Sequence, residues 1–452
     1  MAKLSNEGRD SFTSKFGIIC AAAGSAIGLG NIWRFPYIAG ESGGGAFLIL
    51  YFVFIIMLGI PVMMSEFVIG RRGRRNAYGS FKTLAPGKPW PIVGLMGIVA
   101  AFVILAFYST IASWTLEYLI KAFQDAFAGK TTGELSDMFV AFQTSTIRPV
   151  ILQLVFIAIT AGIIVAGVKN GIEKYTKILM PFLLLLLIIL AIRSLTLPGA
   201  AEGIGFLFSP DFSQLDATAI LNALGQAAFS LSIGMGALIT YGSYIPDRTN
   251  LTNISIEVSL TDTFIAVLAG VAIFPAVFAM GLSPAEGPGL IFMVIPNVFM
   301  QIPGGFYFGI IFFFLLTIAA LTSSISILEV VVAFCTEEFK IKRKYATIMA
   351  ASAAALVGIF CTLSWSTFEG VTFFEMSIFD VLDYTASNIL LPLGALLIVL
   401  FLGWQLSSSD VKDELSNKGL LKLKLYGTFN FIIKFIAPVA IAIIFLYGIG
   451  II

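Results

Sequence analysis

Eleven apolar stretches, each long enough to cross a bilayer, follow one another along this 452-residue chain and leave little else to fold. Crossing a hydrocarbon core takes about 20 apolar residues in a helix. The stretches run from about 15 to 39, 45 to 70, 91 to 124, 150 to 168, 174 to 194, 217 to 244, 256 to 282, 307 to 338, 345 to 364, 375 to 404 and 425 to 451. Residues are 58% hydrophobic and only 12% charged, whereas a soluble protein carries about a quarter charged residues. In hydrocarbon each backbone polar group must be satisfied within its own segment. The expected fold is therefore all-α, a single membrane domain over 1–452 embedded in a lipid bilayer. Met1 to Lys15 is polar with both charge signs and does not read as a signal peptide.

Basic residues set the expected orientation. One set of connecting segments holds 21 Lys and Arg, among them Arg71, Arg72, Arg74, Arg75, Arg343 and Lys412. The other set holds four: Lys121, Lys130, Arg148 and Arg193. The amino terminus is thus expected in the cytoplasm of a cell-membrane protein, and an odd number of segments puts the carboxy terminus outside. A net charge of +1 argues against a nucleic-acid partner. Histidine is absent, which excludes a histidine proton relay or metal site, and Cys20, Cys335 and Cys361 read as reduced packing residues. No nucleotide-binding loop, metal cluster or nucleophile with a base is evident, so the chain does not read as an enzyme.

Segments 1 and 6 are interrupted alike, at Ile27-Gly28-Leu29-Gly30 and Ile233-Gly234-Met235-Gly236. Glycine pairs unwind a membrane helix and free backbone amides and carbonyls, tolerable at that depth where they line a cavity. The second break lies five segments after the first, so the interrupted helices cross in opposite directions. That is the pattern of an inverted repeat of five plus five, 15–194 and 217–404, with 425–451 added outside it. Close-packing contacts between small residues are the alternative. Leu195 to Asp216 and Ser283 to Gly305 read as loops able to fold over a vestibule, and Ser407 to Asn417 as a mobile polar linker.

Segment 1 continues as Gly28-Leu29-Gly30-Asn31-Ile32-Trp33-Arg34-Phe35-Pro36-Tyr37, and segment 6 carries Gln226 to Gly236, then Thr240-Tyr241-Gly242-Ser243-Tyr244. From Arg9 to about Trp404 the chain resembles a bacterial member of the neurotransmitter:sodium symporter family, with the leucine-transporter fold. The resemblance implies two sodium ions as co-transported cargo. The first would be held by the Ala26 carbonyl, Asn31, Ser230 and Asp262 together with the substrate carboxylate. The second would take the carbonyls of Gly24, Ile27 and Ala319 and the hydroxyls of Thr322 and Ser323. Taken by themselves, those hydroxyls could instead bond the preceding helical turn. Asp262 is costly within a span and by default functional. Many animal relatives have asparagine there and need chloride, so Asp262 implies transport without chloride and leaves its protonation on the return step open.

For the substrate, the resemblance implies an amino acid. Its carboxylate would meet the Leu29 and Gly30 amides and the Tyr108 hydroxyl. Its ammonium would meet the carbonyls of Ala26, Phe229 and Ser230 and the Ser232 hydroxyl. Ile104, Tyr108, Phe229, Met235, Ser323 and Ile327 would enclose an uncharged, bulky side chain, with Met235 flexible enough to repack. Amine-transporting relatives have aspartate at Gly28, so its absence favours a zwitterion. The implied extracellular gate is Arg34 with Asp383, under a lid of Tyr108 and Phe229. The implied intracellular gate is Arg9 with Glu337, supported by Phe12, Ser243 and Tyr244; the family usually has aspartate at Glu337, and Glu338 could substitute. Gly171 and Pro181 would let segment 5 unwind to release sodium, and Glu66 would accept from amides freed in segment 6. A proton-coupled permease of like architecture, an amino acid sensor and a channel are the rival readings.

Overall fold

The computed structural model describes residues 10–280, 290–301 and 303–451. Among the described residues, nine uninterrupted helices are long and apolar enough to cross a membrane: Gly45–Gly73, Pro91–Phe123, Arg148–Val165, Val168–Leu195, Leu251–Ala279, Gly305–Glu338, Arg343–Trp365, Ile378–Gln405 and Tyr426–Gly448. In chain order these are spans 2, 3, 4, 5, 7, 8, 9, 10 and 11. Span 1 is a bent pair, Lys15–Ala26 (1a) and Gly30–Glu41 (1b), meeting at 54°. The remaining apolar segment forms two half-helices, Ala217–Ser230 (6a) and Ala237–Tyr244 (6b). With 14 and 8 residues, neither reaches across a core of about 30 Å.

Local signals place the helix ends. Ser14 accepts from the Gly17 amide to open 1a, and Asn250 accepts from Asn253 to open span 7. Each side chain satisfies one of the amides that a first turn leaves bare. Burial then ranks the spans. The apolar windows of spans 8 and 3 are 72% and 67% buried and make the interior, whereas that of span 11 is 22% buried and faces lipid.

Segments between the spans are more ordered than sequence alone suggests. Leu195 to Asp216 contains a helix, Ala200–Phe208, packed so closely on span 7 that a Cβ at Gly203 would lie 2.5 Å from the Pro275 nitrogen. Of Ser283 to Gly305, residues 283–289 and 302 lie outside the described residues, and the rest includes the helix Ile295–Gln301. Short helices Ala77–Leu84 and Thr132–Gln143 had no apolar signature to announce them.

The mobile linker expected at Ser407 to Asn417 is instead a docked helix, Ser408–Leu415. Arg71, buried at the end of span 2, pairs with the Glu414 carboxylate and carbonyl and donates to the Thr249 carbonyl (2.5 Å) and Asn417 Oδ1 (3.0 Å). Arg72 pairs with Asp410. The polarity read as solvation is the complement of this arginine face. Removing one member of a buried ion pair costs about 3–5 kcal/mol, so Arg71→Ala is expected to lower the Tm in detergent by several degrees. An unaltered melting curve would refute the clamp.

Candidate ion and substrate site

At both breaks the backbone leaves helical geometry. Span 1a stops at Ala26, where Ile27 turns extended (φ −79°, ψ 102°), and winding resumes with a π-helical turn over Gly30–Arg34. After 6a, Ser232, Gly234 and Gly236 take φ values of 55°, 89° and 74°, a left-handed path that glycine enters without a Cβ penalty. The freed backbone groups find partners across the break. Gln226 Nε2 donates to the Gly30 carbonyl (3.0 Å), and Ser232 Oγ donates to the Ser25 carbonyl (2.8 Å). The Gly234 amide donates to Glu66 Oε1 at 2.8 Å, and Glu66 is wholly buried.

Asn31, Ser230 and Asp262 converge between these breaks, all at most 1% exposed. Asn31 Nδ2 donates to Asp262 Oδ1 (2.8 Å), the Asp262 carbonyl (3.1 Å) and Ser230 Oγ (3.1 Å). Ser230 Oγ donates to Asp262 Oδ2 at 2.8 Å. Tyr51 of span 2 joins them, its hydroxyl 3.2 Å from both Asp262 Oδ2 and Ser230 Oγ. Sequence reasoning missed Tyr51, whose only signal is a polar tip inside an apolar run. Ala26, the last residue of 1a, is buried beside the break.

A second oxygen cluster joins 1a to the middle of span 8. Ser323 Oγ lies 3.4 Å from each of the Gly24, Ser25 and Ile27 carbonyls. Thr322 Oγ1 lies 3.1 Å from the Ala319 carbonyl and 3.5 Å from that of Ile27. A hydroxyl has one proton to donate, and the Ser25 carbonyl already accepts from Ser232 Oγ, so two hydroxyls are left to serve the three carbonyls of Gly24, Ile27 and Ala319. The cluster is short of protons and rich in lone pairs, the condition a cation relieves. Hard cations such as calcium take oxygens at 2.3–2.6 Å, which in an octahedral shell puts neighbouring oxygens roughly 3.4 Å apart. The observed spacings of 3.1–3.5 Å match that shell.

Ile104, Tyr108, Met235, Ser323 and Ile327 are all under 10% exposed, while Phe229 is half-buried. Tyr108 Oη accepts from the Leu29 amide at 3.4 Å. Gly28 has no room for a side chain: a Cβ there would stand 2.3 Å from Ser323 Oγ and 3.2 Å from the Tyr108 hydroxyl. A Cβ at Gly30 would stand 3.1 Å from the Phe229 ring.

The gate residues are only partly brought together. Arg34 does not pair directly with Asp383 in this structure. Its guanidinium lies 4.4 Å from the Phe229 ring centre, and Asp383 accepts from Ser387 Oγ one turn along span 10 (2.9 Å). A ring face and a local hydroxyl occupy the two charges. Tyr108 and Phe229 make no ring contact with each other among the described residues. Arg9 lies outside the described residues. Glu337 accepts from the Asn76 amide (2.7 Å), and Glu338 pairs with Arg75 (2.8 Å). Phe12 is buried, its amide on the Tyr244 carbonyl (3.2 Å) and its ring edge-on to Tyr241 and Tyr244. Ser243 Oγ donates to the Thr240 carbonyl. Tyr244 Oη reaches Glu329, a fully buried carboxylate paired with Arg343 at 2.6 Å. Glu329 went unread, although a carboxylate within an apolar span is the signal that singled out Asp262.

Span 5 begins with π-helical winding over Val168–Glu173 and contains Pro181. Gly171 lies in that first turn, where a Cβ would come within 2.1 Å of the Ile163 carbonyl. Glu173 there accepts from the Thr13 amide (2.8 Å) and from the Thr13 and Ser14 hydroxyls (2.7 and 2.9 Å), and Asp10 accepts from the Val168 amide (3.1 Å). The stretch leading into 1a is thereby tied to the start of span 5, a link that sequence reasoning did not anticipate.

A family model described as the sodium:neurotransmitter symporter family matches residues 9–144 and 140–451. The chain belongs to that family. Sodium:neurotransmitter symporters are secondary transporters, not enzymes. This one is 42% identical to YhdH, an uncharacterized sodium-dependent transporter of Bacillus subtilis strain 168, over 97% of this chain and 98% of that protein. It is 33% identical to the mouse sodium-dependent neutral amino acid transporter B(0)AT3, over 59% of this chain and 47% of that one. The crystal structure of MhsT in complex with L-phenylalanine aligns with a TM-score of 0.90 and 47% identity, covering 98% of this chain and 100% of that chain.

Proposed function

We propose that this symporter imports neutral hydrophobic or aromatic L-amino acids with two sodium ions by alternating access and without chloride. The proton-poor oxygen cluster of Gly24, Ile27, Ala319, Thr322 and Ser323 is the observation that carries this reading. A proton-coupled permease has no use for a shell of alkali-cation dimensions. The first ion would sit beside Ala26, Asn31, Ser230 and Asp262 and share the substrate carboxylate, so that each ligand tightens the other by linkage. The filled space at Gly28 favours a zwitterion over an amine carrying its own aspartate partner. Apolar walls at Ile104, Met235 and Ile327 favour an uncharged, bulky side chain. L-Phenylalanine bound to MhsT and the neutral amino acid relative support the same class.

In this reading the two breaks belong to oppositely directed five-span repeats, and the arginine-rich face is cytoplasmic. Phe12, packed on Tyr241 and Tyr244, closes that face, while Arg34 waits apart from Asp383. Asp262 supplies the negative charge that chloride would otherwise bring. A scintillation assay with labelled phenylalanine should show saturable binding in sodium and none in potassium. Uptake into vesicles should be unchanged when gluconate replaces chloride. Sodium-free uptake would favour the proton-coupled permease, and strict chloride dependence would remove the role given to Asp262.

A further inference from the structure

A cavity of about 390 Å3 lies between 6a and spans 2, 10 and 11, within the size range of small-molecule pockets. Phe229 borders both this cavity and the proposed substrate pocket, but Ile104, Tyr108, Ser323 and Ile327 are not among its walls, so it lies beside that pocket and not within it. Most of its lining is apolar, with Leu58, Val62, Leu391, Ile441 and Ile444 representative. Arg34, Asn222 and Asn388 interrupt this lining with polar heads. Among the described residues neither asparagine side chain has a hydrogen-bond partner, and Arg34 has no carboxylate within salt-bridge distance. Span 10 takes a π-helical turn over Thr385–Leu390, where Asn388 lines the cavity, and such turns are frequent at functional sites. On the facing wall, a Cβ at Gly225 would meet no atom within 4 Å.

Two amides and a guanidinium bordering an apolar chamber suit an acid head on a hydrocarbon body. The amides alone would serve an alcohol equally well, and the guanidinium adds the preference for an anion. At about 30 Å3 for each water-sized group, the volume holds roughly a dozen non-hydrogen atoms, the size of a ten-carbon acid. Span 11, which supplies one wall, is the least buried of the spans at 22%, so the bilayer lies directly behind it. We propose that this cavity binds a medium-chain fatty acid drawn from the membrane, its carboxylate held by Arg34, Asn222 and Asn388. Bound there, the acid would occupy the guanidinium that must reach Asp383 and would slow uptake without competing for the central pocket. Only this effect on uptake rests on the transport reading; the binding does not.

The test measures labelled decanoate on the full chain in phosphatidylcholine nanodiscs, without sodium or amino acid. Saturable binding is expected, with decanol and decylamine about tenfold weaker or worse because they lack the anionic head. Gly225→Phe, which fills the chamber, and Asn388→Leu, which removes an amide, should each weaken decanoate about tenfold. Both should keep sodium-stimulated phenylalanine binding. Equal binding of decanol, or undiminished decanoate binding by both variants, would overturn the site. Displacement of labelled phenylalanine from a second site by decanoate would overturn the bilayer as the source of the ligand. Loss of sodium-stimulated phenylalanine binding in the unaltered protein overturns the transport reading alone, because decanoate is read without either ligand.

Discussion

Asn31→Ala is expected to abolish sodium-stimulated binding of a labelled hydrophobic amino acid. The Asn31 amide makes two bonds to Asp262 and one to Ser230, and its own Oδ1 accepts from the Gly28 amide at 3.3 Å. Alanine removes an oxygen proposed to face the first ion and the one donor that Asn31 offers the carboxylate opposite. A hydrogen bond to a charged group contributes about 1.5–3 kcal/mol, so this one amounts to roughly tenfold or more in affinity. Because ion and zwitterion are proposed to share the site, amino acid affinity should fall along with sodium affinity. Scintillation binding across a sodium titration checks this, with thermal stability in detergent as the control for folding. Sodium-stimulated binding at ordinary affinity would remove the first ion site.

Ser323→Ala should be as severe for a second reason. Ser323 Oγ faces the Gly24, Ser25 and Ile27 carbonyls and also borders Gly28 in the proposed substrate pocket. Its loss takes an oxygen from the second cluster and opens a void under the substrate. Thr322→Ala separates the two effects, since Thr322 belongs to the oxygen cluster and not to the proposed pocket. Both variants are expected to shift half-saturating sodium upward by roughly tenfold or more, the worth of about 1.4 kcal/mol. At saturating sodium, Ser323→Ala alone should still bind phenylalanine weakly. If both variants titrate with sodium like the unaltered protein, the shell has been misread, and the hydroxyls serve only their own helix.

Some of this architecture was legible because its cause is local. A run of 20 apolar residues must become a membrane helix whatever surrounds it, and positions 28, 30, 234 and 236 are glycine in whatever fold they enter. Asn31, Ser230 and Asp262, named together on a family resemblance, are brought together by the fold. Other partners gave no such sign. Tyr51 beneath Asp262, Glu173 on Thr13 and Glu329 on Tyr244 join residues between 85 and 211 positions apart. Ser408–Leu415 was misjudged for the same reason, as its charges look solvated until Arg71 is seen buried against them.

What the sequence determined alone is which stretches are apolar enough to lie in a bilayer, the places where two of them break, and the kind of atom set free there. Hydropathy and backbone conformation are properties of short stretches, and a single chain writes them openly. Only the tertiary structure decided which carbonyls crowd the Ser323 hydroxyl, that Arg34 rests on Phe229 apart from Asp383, and that a cavity stands behind 6a. Those depend on distances between helices remote in sequence, where a shift of one ångström separates a cation shell from a packed core.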